Sequence, residues 1–522
     1  MNLEQVSKIY FIGMGGIGMS AAAGLAGEQG FVVLGSDAHT IYPPAKDVLD
    51  QHGIEVGVGY SADRIAGSGA DLFVVSSGED QHNPEVAWLL GQNIPYVSFC
   101  ELLHELAQDK IRVVVSGTHG KSTTAGLLGH IFKNIDDSSF MVGAVLKNYS
   151  ANFYSGQGHY FIFEGDEYKS TFDDPTPKMH YYKGDVLVLT NLEFDHPDVF
   201  ANLEEIKQEF QELVARLPDD GIVVYNADDK NLADVVYREG KRAFGFSLHN
   251  PSDMQATDIT YTDAGAIFTI INKLDPDNTR SERYEISLPG EINVYNALSA
   301  IATLRALGFE PELVQQYLLS YTGLKRRFDV LLEGPITIID DYAHHPTAVR
   351  ETLEAARMRL GQTQSLELSS FAKASADKGV MSQEVGQDTY KSDIHNSKLI
   401  THNSVLWAVY EPHTYSRTRA TLGELAKSFG SADQVLLAPM YGARETGTDP
   451  GVSNEQVLEA IAEHQPNTRL LKDKQEAVDI LKAEAKSGDI IVVMAVGSFN
   501  HLAYELSDWL QTNSKSQNAN IK

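Results

Sequence analysis

The stretch IRVVVSGTHGKSTT, residues 111–124, decides the architecture: an apolar run breaks into a glycine-bounded loop and resumes as helix-forming sequence. A β-branched run followed by Ser116, Gly117, Thr118, His119, Gly120, Lys121, Ser122 and Thr123 is the pattern of a strand that ends on a phosphate-binding loop and opens a helix. Gly117 and Gly120 let backbone N–H groups close around phosphate oxygens. Lys121 reaches the β- and γ-phosphates, and Ser122 offers its hydroxyl to Mg²⁺. A full Walker A loop has glycine at 115, where this chain has Val115, so the loop is a shortened variant.

Working outward, the same strand-then-turn rhythm recurs on both sides. Upstream, the runs at 8–12, 31–37 and 71–80 (KIYFI, FVVLGSD, DLFVVSSGED) read as β–α–β units. Downstream of the loop, the runs at 160–167, 185–196 and 221–229 belong to its own layer. A third series covers 336–346, 405–413, 434–442 and 489–497. Strands alternating with helical patterns predict three α/β domains with mostly parallel sheets. With 522 residues the chain is long enough for three, at about 150 residues per domain. Residues 361–403, rich in Ser, Lys, Asp and Gln, interrupt the third series and read as a flexible surface insertion, and 511–522 as a frayed tail.

The first series carries a second glycine cluster. Gly13, Gly15 and Gly18, with Gly16 between them, follow a strand directly, and Asp37 closes the next one. This G-x-G-x-x-G pattern lets a backbone approach a diphosphate, with helix N–H groups supplying positive potential. Taken alone, it fits NAD and a dehydrogenase as well as any other nucleotide diphosphate.

Composition limits the partners. Lys and Arg total 42 against 71 Asp and Glu, a formal charge of −29, which opposes broad binding to nucleic acid or anionic membrane. One cysteine, Cys100, excludes a disulfide framework and a multi-thiolate metal site. The N-terminus has no secretory pattern and no apolar run is long enough to span a bilayer, so a cytoplasmic location is expected. Sequence does not fix the oligomeric state.

Mg²⁺ takes oxygen ligands, so carboxylates are expected near the loop. Glu167 in FEGDEY (163–168) suits that role, with Asp166 adjacent. His196, after the strand leading to NLEFDH (191–196), falls where a parallel sheet gathers its C-terminal ends, and Asn191 is a polar candidate there.

GTHGKST (117–123), FEGDEY, TNLEFDHPD (190–198), LPGEINVYNALSAI (288–301), GLKRRF (323–328) and DDYAHHPTA (340–348) occur in this order and together resemble the Mur ligases. Those enzymes form amide bonds in peptidoglycan precursor synthesis at the expense of ATP. The likeness covers nearly all of the chain apart from 361–403 and the tail. It implies a Rossmann-like domain at 1–107 that binds a UDP-sugar through Gly13, Gly15, Gly16, Gly18 and Asp37. It implies a central ATP-binding domain at 108–328, and a Rossmann-like C-terminal domain at 329–522 for the amino substrate. Lys121, Glu167 and His196 become the expected catalytic set. Ser122 and Glu167 would hold one metal, and Glu167 with His196 a second.

The resemblance also implies nucleotide contacts from Asn293, Asn296, Arg326, Arg327, Asp341 and His344, and amino-substrate contacts from Tyr342, His413, Arg417 and Arg419. The family's adenine-side pattern G-x-H-N-x-x-N has Ile292 here at the histidine position, which removes one expected contact. GMGGIGMS (13–20) followed by GSD (35–37) is similar to the branches that use UDP-N-acetylmuramate itself. Residues 42–60 and 93–106 resemble the branch that attaches the L-Ala-γ-D-Glu-diaminopimelate tripeptide, whereas 411–429 and 440–445 resemble the branch that attaches L-alanine. L-alanine is the expected amine, because the C-terminal domain meets it.

Overall fold

The computed structural model describes residues 3–195, 199–262, 265–274, 279–376, 404–442, 445 and 451–519. Two compact units emerge. One comprises Met1–Thr260, Ala266–Leu288 and Ile292–Lys325; the other comprises Arg326–Lys522 with the short pieces Tyr261–Gly265 and Pro289–Glu291.

The first unit holds two sheets. β1 (Lys8–Ile12), β2 (Val32–Asp37), β3 (Val56–Val58), β4 (Leu72–Val75) and β5 (Val97–Ser98) form a parallel sheet in the order β3-β2-β1-β4-β5. The order reverses beside β1, so the glycine cluster after β1 opens into the crevice at the switch point, where α/β sheets bind ligands.

The second sheet has β6 (Ile111–Ser116), β7 (Ser139–Leu146), β8 (Ala151–Tyr154), β9 (Tyr160–Glu164), β10 (Val186–Leu189), β11 (Ile222–Asn226), β12 (Arg242–Ser247), β13 (Met254–Thr262), β14 (Gly265–Asn272) and β15 (Arg280–Ile286). Its order is β15-β14-β13-β12-β11-β10-β6-β9-β7-β8. β6 lies between β9 and β10, parallel to both, and its Val113, Val114 and Val115 are fully buried. A strand covered on both faces reads as a continuous apolar run, which is why 111–115 announced itself.

The first two sheets do not separate into two compact bodies, although a boundary at 107/108 was expected. The helix Ile17–Glu28 is built from small residues, and a Cβ on its Gly24 would stand 2.5 Å from Phe153 on β8, so the helix lies directly against the second sheet. Asn152 donates to the Ile17 and Val142 carbonyls at 3.3 and 3.1 Å, and Tyr96 donates to Asp173 at 2.5 Å. Cys100 is completely buried in the same contact, with the Ser98 and Ser170 hydroxyls 3.0 and 3.2 Å from its sulfur. Burial holds its thiol pKa above the ordinary value.

The second unit has one sheet: β16 (Asp329–Leu332), β17 (Thr337–Asp341), β18 (Leu406–Tyr410), β19 (Gln434–Leu437), β20 (Thr468–Leu470) and β21 (Ile490–Met494), ordered β16-β17-β21-β18-β19-β20. All neighbours are parallel except β16, which runs antiparallel to β17. The two units divide between Lys325 and Arg326, near the expected 328/329.

The helix Pro346–Ala376 runs into the segment expected to be a flexible insertion, and positions 377–403 lie outside the described residues. The helix Leu502–Ala519 likewise runs into the expected tail. Both stretches are polar, and a polar helix gives no apolar period to read.

Candidate active site

β6 delivers the chain to the loop, and the helix Lys121–Asp136 leaves it. Gly117 has φ +142° and Gly120 φ +78°. A Cβ on Gly117 would stand 2.1 Å from Thr190 Oγ1, and one on Gly120 2.3 Å from Asn296 Oδ1. Both positions therefore require glycine by conformation and by space.

Residues after β10 brace the loop. Asn191 accepts from the His119 N–H at 2.7 Å and donates back to the His119 carbonyl at 3.1 Å. The Thr118 hydroxyl accepts from the Glu193 N–H at 2.9 Å. Asn191, expected as a polar contact in the crevice, thus positions the loop backbone.

Lys121 Nζ donates to the Gly117 carbonyl at 2.6 Å and to Glu167 at 2.9 Å. Burial would lower its pKa, but Glu167, Asp166 and Glu164 raise it above the ordinary lysine value. Ser122 donates not to Glu167 but to Glu164, at 2.7 Å, and Glu164 also accepts the Gly143 N–H at 2.7 Å. Burial and the Asp166 charge push the Glu164 carboxyl up, against the hydrogen bonds and Lys121. Glu164 is the residue that sequence reasoning missed. The available signal was register: β6 and β9 pair Val115 with Glu164, directly before the loop.

Asn293 and Asn296 lie buried on the helix Glu291–Ala306. Asn296 donates to Asn293 at 3.2 Å and accepts from Thr124 at 3.4 Å, which brings both against the loop's helix. Ile292 is half-buried beside them, and Thr123 lies in the first turn of the loop's helix. His196 lies outside the described residues.

At the other glycine cluster, Gly13 has φ +79°. Asp37 accepts the Gly15 N–H at 2.7 Å and the His39 N–H at 3.2 Å, so its carboxylate is turned onto the glycine loop. Gly16 caps the helix Ile17–Glu28 without a side-chain hydrogen bond, which leaves first-turn N–H groups for an anion. A Cβ on Gly18 would meet only ordinary contacts with Phe99 and Met141.

The second unit gathers its own polar group. Asp341, ending β17, accepts the Phe328 and Ala343 N–H groups, both at 2.6 Å. The guanidinium groups of Arg326 and Arg327 lie 5.0 and 5.2 Å from the Tyr342 ring centre. Tyr342, His344 and His413 form a chain of edge-on rings at 5.4 and 5.3 Å. Buried Arg417 donates to His413 Nδ1 at 3.2 Å. Arg419 departs from this set: it is exposed and lines a separate cleft with Gln456 and Glu459.

A phosphate loop with a half-buried lysine and crowded carboxylates, set in a chain with a second glycine-rich dinucleotide-type crevice, defines a nucleotide-dependent enzyme of the α/β class. The Mur ligase middle domain matches residues 115–304, the Mur ligase family catalytic domain 8–111, and the Mur ligase glutamate ligase domain 326–387. The chain is 33% identical, over 95% of its length and 94% of the relative's, to a UDP-N-acetylmuramate–L-alanine ligase of Acetivibrio thermocellus. It is similar in fold to the UDP-N-acetylmuramate-alanine ligase of Thermotoga maritima, with a TM-score of 0.73, 20% identity, and coverage of 97% and 99% of the two chains. A murein peptide ligase of Psychrobacter arcticus is 26% identical, with a TM-score of 0.67 and coverage of 96% and 98%. The chain belongs to the Mur ligase family and is an ATP-dependent ligase. The dehydrogenase reading of the first glycine cluster falls with that finding. Among the described residues no helix is long and apolar enough to cross a membrane.

Proposed function

We propose that this enzyme joins L-alanine to the lactyl carboxylate of UDP-N-acetylmuramate in the cytoplasm. The carboxylate oxygen attacks the γ-phosphorus of ATP, the bond to the β-phosphate oxygen breaks, and ADP leaves. The amine nitrogen then attacks the carbonyl carbon of the acyl phosphate, and the tetrahedral intermediate expels phosphate as the amide forms. The observation that carries this reading is the half-buried Lys121 ammonium on the phosphate loop, 2.9 Å from Glu167. A carboxylate is a poor electrophile, and a fixed cation beside the transferring phosphoryl group stabilises charge that develops only in the transition state.

The donor set fits Mg²⁺. Ser122, Glu164, Asp166 and Glu167 supply only hard oxygen atoms, and three carboxylates crowd one lysine there, with burial first and the Asp166 charge second holding the Glu164 carboxyl up. Ser122, Glu164 and Glu167 would hold the ion, with His196 in the second position the family resemblance implies. Bound there, Mg²⁺ supplies Lewis-acid neutralisation of the phosphate oxygens. Asn293 and Asn296 serve the adenine side, and Arg326, Arg327, Asp341 and His344 the phosphates. Gly13, Gly15, Gly16, Gly18 and Asp37 take the UDP portion. Tyr342, His413 and Arg417 receive the amino substrate, the buried guanidinium facing its carboxylate. Arg419 is the weakest member of that set, because it lines a different cleft.

The second reading, attachment of the L-Ala-γ-D-Glu-diaminopimelate tripeptide, has in its favour the 26% identity to the Psychrobacter arcticus murein peptide ligase, below the 33% to the Acetivibrio thermocellus L-alanine ligase. Parallel assays of ADP release with UDP-N-acetylmuramate and either L-alanine or the tripeptide decide between them. Turnover with L-alanine alone is expected. Turnover with the tripeptide alone replaces the first reading by the second.

A further inference from the structure

Where the chain enters the second unit, the β16–β17 pairing sets Asp329 opposite Asp340. Asp340 has no exposed surface, and neither of its carboxylate oxygens accepts a hydrogen bond of ordinary geometry among the described residues. Its cationic neighbour is Arg326, whose Nε stands 3.6 Å away and is itself buried without an acceptor. The rest of Arg326 is anchored: Nη2 donates to the Ala495 carbonyl, and the backbone N–H donates to Asp329 at 3.3 Å. Arg326 and Phe328 both sit at positive φ, +61° and +44°. Such backbone is unfavourable for side-chain-bearing residues and persists only when surroundings hold it.

A buried acid whose one hydroxyl neighbour, Tyr504, meets it off the ideal hydrogen-bond geometry, and which faces an arginine across a gap, is a poor stabilising device. It is better suited to holding that arginine. We propose that Asp340 is a positioning residue: its ionised carboxylate draws the Arg326 guanidinium inward and thereby fixes the 326–328 backbone that presents Arg327 to the nucleotide. This rests on the reading that Arg327 serves ATP.

The groups facing Asp340 are Arg326, Asp341 beside it, Asp329 across the ladder and Tyr504 on the helix Leu502–Ala519. Burial pushes its pKa up to about 7; Asp341 and Asp329 reinforce the rise, while Arg326 and the Tyr504 hydroxyl oppose it. The hold on Arg326 therefore strengthens as pH rises through neutrality.

The test is steady-state ADP formation by the full chain, with UDP-N-acetylmuramate, L-alanine and the tripeptide all saturating so that the amine's identity does not enter. KM for ATP is measured for wild type and Asp340→Asn between about pH 6 and about pH 8. The γ-phosphate of ATP titrates in the same window, so the quantity read is the ratio of variant to wild type. The expected ratio is about fivefold at the upper pH and falls toward one at the lower, with thermal melting of the variant no lower than wild type at the upper pH. A ratio of one throughout, or a raised ratio independent of pH, overturns the proposal. Arg327→Ala tests the parent reading separately: unchanged KM for ATP in that variant removes the role of Arg327, whatever Asp340→Asn shows.

Discussion

The Ser122 hydroxyl donates a 2.7 Å hydrogen bond to Glu164, the residue that ends the strand beside the phosphate loop. It ties the first helical turn after the loop to the acidic turn 164–167, and so joins two motifs far apart in the chain. Glu164→Gln keeps the shape and removes the charge. ADP formation is expected to fall by on the order of 10²-fold, with a raised Mg²⁺ requirement; chelation with EDTA should abolish turnover in both proteins. A Mg²⁺ titration of initial rates checks this, and an unchanged half-saturation in the variant would remove Glu164 from the metal site.

Lys121→Ala removes the cation that Gly117 and Glu167 hold. Amide formation should drop by about 10³-fold or more, while binding of UDP-N-acetylmuramate, measured calorimetrically, stays within a few-fold. Wild-type amide formation in this variant would sink the mechanism.

Gly120→Ala places a methyl group against Asn296 in a left-handed conformation. A destabilisation of about 1–3 kcal/mol is expected, read from urea unfolding, together with a raised KM for ATP. A variant as stable as wild type means that the loop gives way freely.

Arg417 and Arg419 look interchangeable on paper, but one is buried against His413 and the other lines a separate cleft. Arg417→Lys, which keeps charge but loses the fork, should raise KM for the amino substrate by about tenfold. Arg419→Ala should change it by less than about twofold. The reverse ranking would relocate the amine.

His130 is buried, with the Ser320 and Tyr149 hydroxyls on its two ring nitrogens. Burial, with a smaller push from Lys133, lowers its pKa to about 4. The unfolded chain thus binds a proton that the folded one refuses. The contribution is complete above about pH 6.5 and is lost as pH falls toward about 4, amounting to at most about 3 kcal/mol. Urea midpoints across this window should fall less steeply for His130→Gln than for wild type; parallel slopes would assign the acid sensitivity elsewhere.

What was legible in the sequence is what local chemistry specifies. The loop at 117–123 could be read because glycine, lysine and serine at fixed offsets have few other uses, and the central strands because burial on both faces leaves an unbroken apolar run. The edge was harder. β8 and β13–β15 mix polar and apolar residues, since one face or one edge meets water. Glu164 and Glu167 could not be ranked by spacing, because their partners are set by strand register and not by proximity in the chain. Asp340 was hidden for the same reason: its acidic neighbour Asp329 becomes adjacent only across a ladder. The family's His-to-Ile change at 292 was visible, but its half-buried setting beside Asn293 and Asn296 was not.

Cys100 is the chain's one thiol, sealed between Ser98 and Ser170 where the first sheet's layer meets the second. Its raised pKa and burial make it inert to maleimides while the first unit stays intact. The protein is therefore a ready background for site-selective labelling: one cysteine added at an exposed position takes a fluorophore or spin label with the native residue left in place. Conversely, slow modification of Cys100 itself, followed by mass, counts how often these two layers part company.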